Sequence, residues 1–104
     1  MSFSVLFTET VSCEPGHSMW MSARAASGTV VSVGLQNGGY ATELEITQMF
    51  VVNATTAFAQ VTNRSPKPVQ WRVALVVASA VDEAEPTLLA PEVKSVELGS
   101  AGAS

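Results

Sequence analysis

The chain is poor in the residues that carry chemistry. Its 104 residues include one cysteine and one histidine, with five Lys or Arg and nine Asp or Glu. A single cysteine excludes an internal disulfide, and a structural zinc site needs about four ligands. The sequence therefore predicts a fold that depends on no disulfide, no metal and no other cofactor.

Charge is scarce as well. Charged residues make up 13% of the chain, about half the usual fraction, and the net charge is -4. The basic residues form no stripe, which argues against a nucleic-acid partner. Such a surface is expected where much of it is buried in subunit contacts, or on a neutral, Ser/Thr-coated β-protein. The composition leaves both interpretations open.

Long hydrophobic runs are missing, since polar or charged residues interrupt every apolar stretch. We therefore expect no membrane span. The N-terminal MSFSVLFTET lacks the basic start of a signal peptide. The expectation is a soluble, unprocessed protein that is cytoplasmic at synthesis.

The most informative feature present is the run of residues 69–81, VQWRVALVVASAV. Its odd positions are apolar apart from Ser79, whereas its even positions begin polar at Gln70 and Arg72 and become apolar from Ala74. This pattern predicts a long β-strand whose second half is covered on both faces. In a domain with one core, the second cover must come from residues 82–98 or from another subunit.

Shorter segments also alternate with a period of two, as strands do. Phe3, Val5 and Phe7 predict a half-buried strand within residues 3–11. Further strands are predicted at the segments that follow, namely residues 18–25, 29–36, 41–52 and 55–62. Asn37-Gly38 predicts a hairpin that pairs Tyr40 onward with the strand before it. Residues 41–61 also show helical spacing, but their many β-branched residues favour strands, with a break at Asn53-Ala54.

These segments predict an all-β domain over residues 1–98. The expected architecture is a small antiparallel sandwich or barrel of six to seven strands, with a jelly roll as one option. Residues 82–98 are interpreted as an edge strand or an inter-subunit arm, and residues 99–104 (GSAGAS) as a flexible tail.

Cys13 and His17 flank a Pro-Gly turn and are the one pair that suggests catalysis, because a nearby base can activate a thiol. No oxyanion-binding loop accompanies them, so the interpretation favoured here is a protein that is not an enzyme. Asn53 and Asn63 match the glycosylation acceptor pattern, and the sequence leaves their use undecided.

A ligand site is suggested by Trp20. If Met19 and Met21 face inward, Trp20 points outward beside Arg24, and with Tyr40 it would form a lectin-like sugar platform. The reverse orientation, with Trp20 buried, is equally compatible with the sequence.

The function favoured by the composition is self-association. We expect a structural or assembly subunit that forms homo-oligomers, for example a phage capsid decoration or fibre component, with a glycan-binding module as the alternative. The predicted interface comprises small or apolar residues of the long strand and the C-terminal segment: Val76, Ala78, Ala80, Leu88, Leu89, Val93 and Val96.

Overall fold

The computed structural model describes residues 1–37 and 44–98, and their regular structure consists of β-strands. Eight strands form two antiparallel sheets of four. The strands are β1 (Ser2–Phe7), β2 (Val11–Cys13), β3 (His17–Arg24), β4 (Thr29–Asn37), β5 (Leu44–Val51), β6 (Thr56–Asn63), β7 (Val69–Ser79) and β8 (Glu92–Glu97). The prediction of a small antiparallel β-sandwich or barrel is confirmed in the form of a sandwich, with eight strands among the described residues where six to seven were predicted.

The first sheet, sheet A, is built around β7. Both β1 and β2 pair with one side of β7, at its second half and its beginning respectively, and β4 pairs with the other side. The second sheet, sheet B, has the strand order β5-β6-β3-β8. Sheet A is thus three strands wide, whereas sheet B is four strands wide.

The core lies between the inward faces of the two sheets. On β7 the odd positions Trp71, Val73, Leu75 and Val77 have no exposed surface, as the alternation predicted. Burial of each such side chain contributes about 1.5–3 kcal/mol. On β3 the inward residues are the methionines, Met19 and Met21, so Trp20 points outward.

The first predicted strand is divided into β1 and β2 at Thr8. The Thr8 N–H donates to the carbonyl oxygen of Val73 at 2.9 Å, and the Thr8 Oγ1 accepts the Val73 N–H at 2.9 Å. A side-chain oxygen thus takes the place of a backbone acceptor. This ends the regular ladder between β1 and β7.

The orientation predicted for β1 is wrong. Phe3, Val5 and Phe7 were expected to form its buried face, yet they are exposed. The cause is the register, which places Val5 opposite Val76 on the outer face of β7, while Leu6 lies opposite the buried Leu75. A strand with apolar residues on both sides cannot be oriented from alternation alone.

The predicted hairpin at Asn37-Gly38 is also wrong. The strand before it, β4, pairs with β7 in sheet A, whereas β5 pairs with β6 in sheet B. The chain therefore crosses from one sheet to the other between β4 and β5, and Gly38 itself lies outside the described residues. An Asn-Gly signal predicts a chain reversal, but not whether the strands before and after it pair with each other or belong to different sheets.

Residues 44–63 are strands with a break where it was predicted. Asn53 forms the turn between β5 and β6, and its Oδ1 accepts hydrogen bonds from the Thr55 N–H at 2.9 Å and the Thr55 hydroxyl at 3.0 Å. This Asx turn satisfies the backbone where the chain reverses.

The C-terminal segment crosses to sheet B. Leu88 forms a bridge with Ala25 and packs against the core, and β8 then pairs with β3 as an edge strand. Residues 82–98 therefore do not provide the second cover for β7.

Candidate interaction surfaces

Sheet A presents an exposed apolar surface, which we call the apolar face. Its main side chains come from β1: Phe3 is 63% exposed, Val5 56% and Phe7 44%. It also includes outward residues of β4 and β7. The set is Phe3, Val5, Phe7, Val31, Ala74, Val76 and Ala78, of which Ala78 is itself buried.

The register of sheet A makes this surface continuous. Phe3, Val5 and Phe7 lie directly opposite Ala78, Val76 and Ala74. Side chains at directly opposite positions share a face and are close enough to contact. On the β4 side Gly34 lies opposite Ala74 and has no side chain, so the surface is flat there. Ser32 and Thr29, which lie opposite Val76 and Ala78, give this side a polar border.

One end of the apolar face is closed by Arg72. Its guanidinium lies over the Phe7 ring, 4.0 Å from the centroid, and its Nε donates to the Gln36 Oε1 at 2.7 Å. A cation held over an aromatic ring is favourable by about 0.5–1 kcal/mol at an exposed site. The charged side chain therefore lies at the border of the apolar face and not in its middle.

The other end contains an open groove of about 400 Å³. Phe3, Val31 and Ala78 contribute apolar walls, and Glu83 lies at its border. This volume is within the range of pockets that accept a small ligand or a large side chain.

Gly28 fixes the chain beside this groove. It has a positive φ of 78°, and a β-carbon at this position would lie 2.7 Å from Cγ1 of Val77 and 2.8 Å from the carbonyl oxygen of Ala78. Only glycine combines this φ with so close an approach. The turn between β3 and β4 is therefore held tightly against the end of β7.

The outer face of sheet B has a different character. The rings of Phe50 and Phe58 lie 5.5 Å apart between centroids, and those of Phe58 and Trp20 lie 5.7 Å apart. The Nζ of Lys94 lies 5.4 Å from the centroid of Trp20. We call Phe50, Phe58 and Trp20 the aromatic row. It crosses β5, β6 and β3 and ends at β8.

Polar side chains surround the aromatic row. Gln60 lies directly opposite Trp20, and Ser22 lies directly opposite Phe58. Arg24, one of the residues predicted to accompany Trp20, is exposed on the same face of β3. Tyr40, the third predicted ligand residue, lies outside the described residues.

The residues predicted to form an interface do not form one patch. Val76 and Ala78 belong to the apolar face, and Ala80 borders the groove. Leu88 packs against the core, and Leu89 follows it on the surface. Val93 and Val96, on β8, point to opposite sides of sheet B.

Cys13 and His17 do not form a thiol–imidazole pair. The Cys13 thiol is buried and donates to the backbone carbonyl of His17 at 3.5 Å, while the His17 Nδ1 is hydrogen-bonded to the Ser95 hydroxyl at 3.0 Å. Burial is the main cause that raises the pKa of the Cys13 thiol. These contacts favour the protonated, unreactive form.

The glycosylation pattern at Asn63 belongs to a buried structural residue. Both amide hydrogens of Asn63 are donated, to the carbonyl oxygens of Cys13 at 2.8 Å and Lys67 at 2.7 Å. Its side chain has no exposed surface, so a glycan at this position is incompatible with the fold. Asn53, in contrast, is exposed at its turn.

Two further properties concern the described residues. Residues 1–37 and 44–98 contain no group of three or more His, Cys, Asp or Glu arranged to hold a metal ion. The same residues contain no helix long and apolar enough to cross a membrane.

Sequence reasoning missed most of both surfaces. The apolar face depends on Phe3, Val5 and Phe7, which were expected to be buried. The aromatic row depends on Phe50 and Phe58, which were not predicted to accompany Trp20. A signal was present for β1, because its six residues are uncharged and apolar at alternate positions. Phe50 and Phe58 lie four residues on either side of Ala54, in the predicted break, so a hairpin there places them opposite each other. No spacing within the chain places Trp20 beside them.

The chain has no detectable relative in three comparisons: no protein-family model, no curated protein and no solved structure matches it.

Proposed function

We propose that this protein is a structural or assembly subunit that associates with copies of itself through the apolar face. The observation that carries the proposal is the outward exposure of Phe3, Val5 and Phe7, in register with Val76 and Ala78. A contiguous exposed apolar patch is typical of a protein contact.

The composition of the apolar face supports a protein partner. Its centre holds valines, alanines and phenylalanines, and its border holds polar or charged groups such as Arg72, Gln36 and Glu83. An apolar centre with a polar rim is the usual anatomy of an interface between subunits. A second copy of the chain is the partner that is present wherever the protein is made.

The path of the chain supports the same proposal. The second half of β7 carries apolar residues on both sides, and residues 82–98 leave its outer side for sheet B. A second copy that packs on the apolar face would bury Val76 completely. This would account for the pattern of residues 69–81.

The test compares the association state of the wild type with that of variants in which a valine is replaced by threonine, a polar residue of nearly the same shape. We expect the wild type to be oligomeric in sedimentation equilibrium. Val5→Thr and Val76→Thr each place a hydroxyl in the contact, and an unpaired buried hydroxyl costs about 1–3 kcal/mol. The dissociation constant should therefore rise by about tenfold or more.

The matched control is Val96→Thr. Val96 is 59% exposed, much like Val5, but lies on the outer face of sheet B. This variant should associate as the wild type does. A wild type that stays monomeric at high concentration would contradict the proposal, as would equal weakening by the Val96 substitution.

The proposal also includes the kind of assembly to which such a subunit belongs, namely a virion. The small size of the chain and its 13% of charged residues are the features that agree with a phage capsid decoration or fibre component. Structural genes of a virion beside the gene for this chain would support that setting.

The aromatic row favours a second function, the binding of a glycan. Sugars stack on aromatic rings through their C–H faces and hydrogen-bond to amides and hydroxyls, and the row offers both, with Gln60 beside Trp20. Trp20→Ala should abolish binding on a glycan array and leave the unfolding temperature nearly unchanged. Phe7→Ala, on the opposite sheet, is the control and should bind normally. Absence of any wild-type signal would exclude this function.

A further inference from the structure

The two sheets differ in width, and the difference leaves one position of the sandwich unfilled by the named strands. Strand β4 packs against β5 and β6, and β7 packs against β6 and β3. On the other side of β7, β2 contacts β3. Strand β8 continues sheet B beyond β3 on that side, and among the named strands none of sheet A lies beyond β1 and β2 to cover it.

The inward side of β8 is therefore left partly uncovered. Val93 lies opposite the fully buried Met21 and points to the same side of sheet B, yet Val93 is 36% exposed. On this side, residues 88–91, which lead into β8, line a pocket together with Phe7, Thr8 and Glu9, so a strand added beside β1 would lie next to this segment.

The open edge of β1 lacks the features that normally prevent strand pairing. Charged residues, prolines and bulges protect sheet edges. Strand β8 carries Glu92, Lys94 and Glu97, and β4 and β5 each contain an irregularity in register. Strand β1, SFSVLF, has no charge and no proline and pairs with β7 without a register shift.

The backbone of β1 is oriented for such pairing. The N–H of Thr8 points to β7, where it donates to Val73. Because successive residues of a strand alternate in the direction of their backbone groups, the N–H and C=O groups of Phe3, Val5 and Phe7 point to the open edge. These groups are the donors and acceptors that a further strand would use.

We propose that β1 pairs antiparallel with the β1 of a second copy, around a two-fold axis at Val5. This inference rests on the proposed self-association and adds a second contact to it, made by the edge of β1 and not by the apolar face. The two Val5 residues exchange backbone hydrogen bonds, and Phe3 of each copy lies opposite Phe7 of the other. Sheet A then continues from one copy into the next, and the two apolar faces become one surface.

The identity of the occupant follows from the strand itself. An uncharged strand can lie beside its own copy without repulsion between like charges. The antiparallel arrangement also places Phe beside Phe and Val beside Val on the same face, and such cross-strand pairs are favourable. A contact of this kind is isologous, so it closes as a dimer.

The test separates the edge of β1 from the apolar face. Val5→Pro removes the N–H that points to the open edge and keeps an apolar side chain, and proline is tolerated at the edge of a sheet. We expect Val5→Pro to weaken association by about tenfold or more in sedimentation equilibrium, because neither copy can then donate at the two-fold axis. The folded monomer should show an unchanged far-ultraviolet circular dichroism spectrum.

The matched control is Ser95→Pro, at the edge of β8. Leu98 donates its N–H to Gly16, so by alternation the N–H of Ser95 points away from β3. This variant should dimerise like the wild type. Hydrogen exchange at the Val5 amide should slow as protein concentration rises, whereas exchange at Leu6, bonded to β7, should be slow throughout.

The outcomes distinguish the two proposals. If Val5→Pro still associates and Val76→Thr does not, the proposed assembly function is supported and pairing through β1 is overturned. A monomeric wild type overturns both. Protection of the Val5 amide at all concentrations in a monomer shows that the chain itself covers the edge, and also overturns the pairing.

Discussion

At the scale of single residues, the same amino acid has different roles because its surroundings differ. Asn53 and Asn63 are both followed by the residues of a glycosylation acceptor, and both accept hydrogen bonds from the residue two positions on. Only Asn63 is buried, and only Asn63 also donates to two carbonyl oxygens. The sequence motif identifies the turn in both cases, but it does not show that the side-chain amide of Asn63 also donates two hydrogen bonds.

This difference predicts the effect of Asn63→Asp. The introduced carboxylate would face the carbonyl oxygens of Cys13 and Lys67 without a hydrogen to donate. Leaving such groups unpaired in the interior costs about 1–3 kcal/mol, and more for a charged group. We expect the free energy of unfolding, measured by urea denaturation, to fall by at least this amount at pH 7.

The pH dependence identifies the cause. Burial raises the pKa of the introduced carboxyl in the folded state above its unfolded value of about 4. The variant therefore loses stability as pH rises above about 4, and the loss should shrink toward pH 3, where both states are protonated. Asn53→Asp, which keeps its acceptor at an exposed turn, is the control and should differ little from the wild type. Equal losses in the two variants would show that the donated bonds of Asn63 are unimportant.

At the scale of elements, alternation predicted where strands lie but not how they face or pair. The odd positions of β7 are buried because they are more apolar than the even ones, and the break at Asn53 follows from its turn chemistry. In β1 both sides carry apolar residues, Leu6 on one and Phe3, Val5 and Phe7 on the other, so the register with β7 decides which side is buried. That register depends on contacts distant in sequence.

The connection between β4 and β5 shows the same limit. A chain reversal after Asn37 permits either a hairpin or a crossing between facing sheets. The crossing occurs because β4 pairs with β7 and β5 pairs with β6, and these partners lie in different sheets. Local turn chemistry contains no information about partners so far along the chain.

The candidate surfaces were less predictable than the fold for this reason. The outward direction of Trp20 was one of two orientations that the sequence allowed, and the burial of Met19 and Met21 selects it. The neighbours of Trp20 in the aromatic row come from β6 and β5, and the apolar face combines β1, β4 and β7. Both surfaces are products of sheet topology.

At the scale of the whole molecule, the two outer faces differ in chemistry. The apolar face has charged groups only at its borders, with Arg72 at one end, in contact with Phe7 and Gln36, and Glu83 at the other. The outer face of sheet B carries charges within it, including Lys94 over Trp20 and the ion pair of Arg64 with Glu45 at 2.8 Å. Association through sheet A should therefore be driven by apolar burial and opposed by the net charge of each copy, which is -4.

This contrast predicts the salt dependence of association. Raising sodium chloride screens the repulsion between two copies of net charge -4, so the dissociation constant should stay constant or fall. Sulfate strengthens apolar burial and should lower it further. Sedimentation equilibrium in increasing concentrations of each salt measures both effects, and Val5→Thr should weaken association in either salt. A dissociation constant that rises steadily with sodium chloride would instead indicate a contact made by ion pairs, and would assign the interface to the charged face of sheet B.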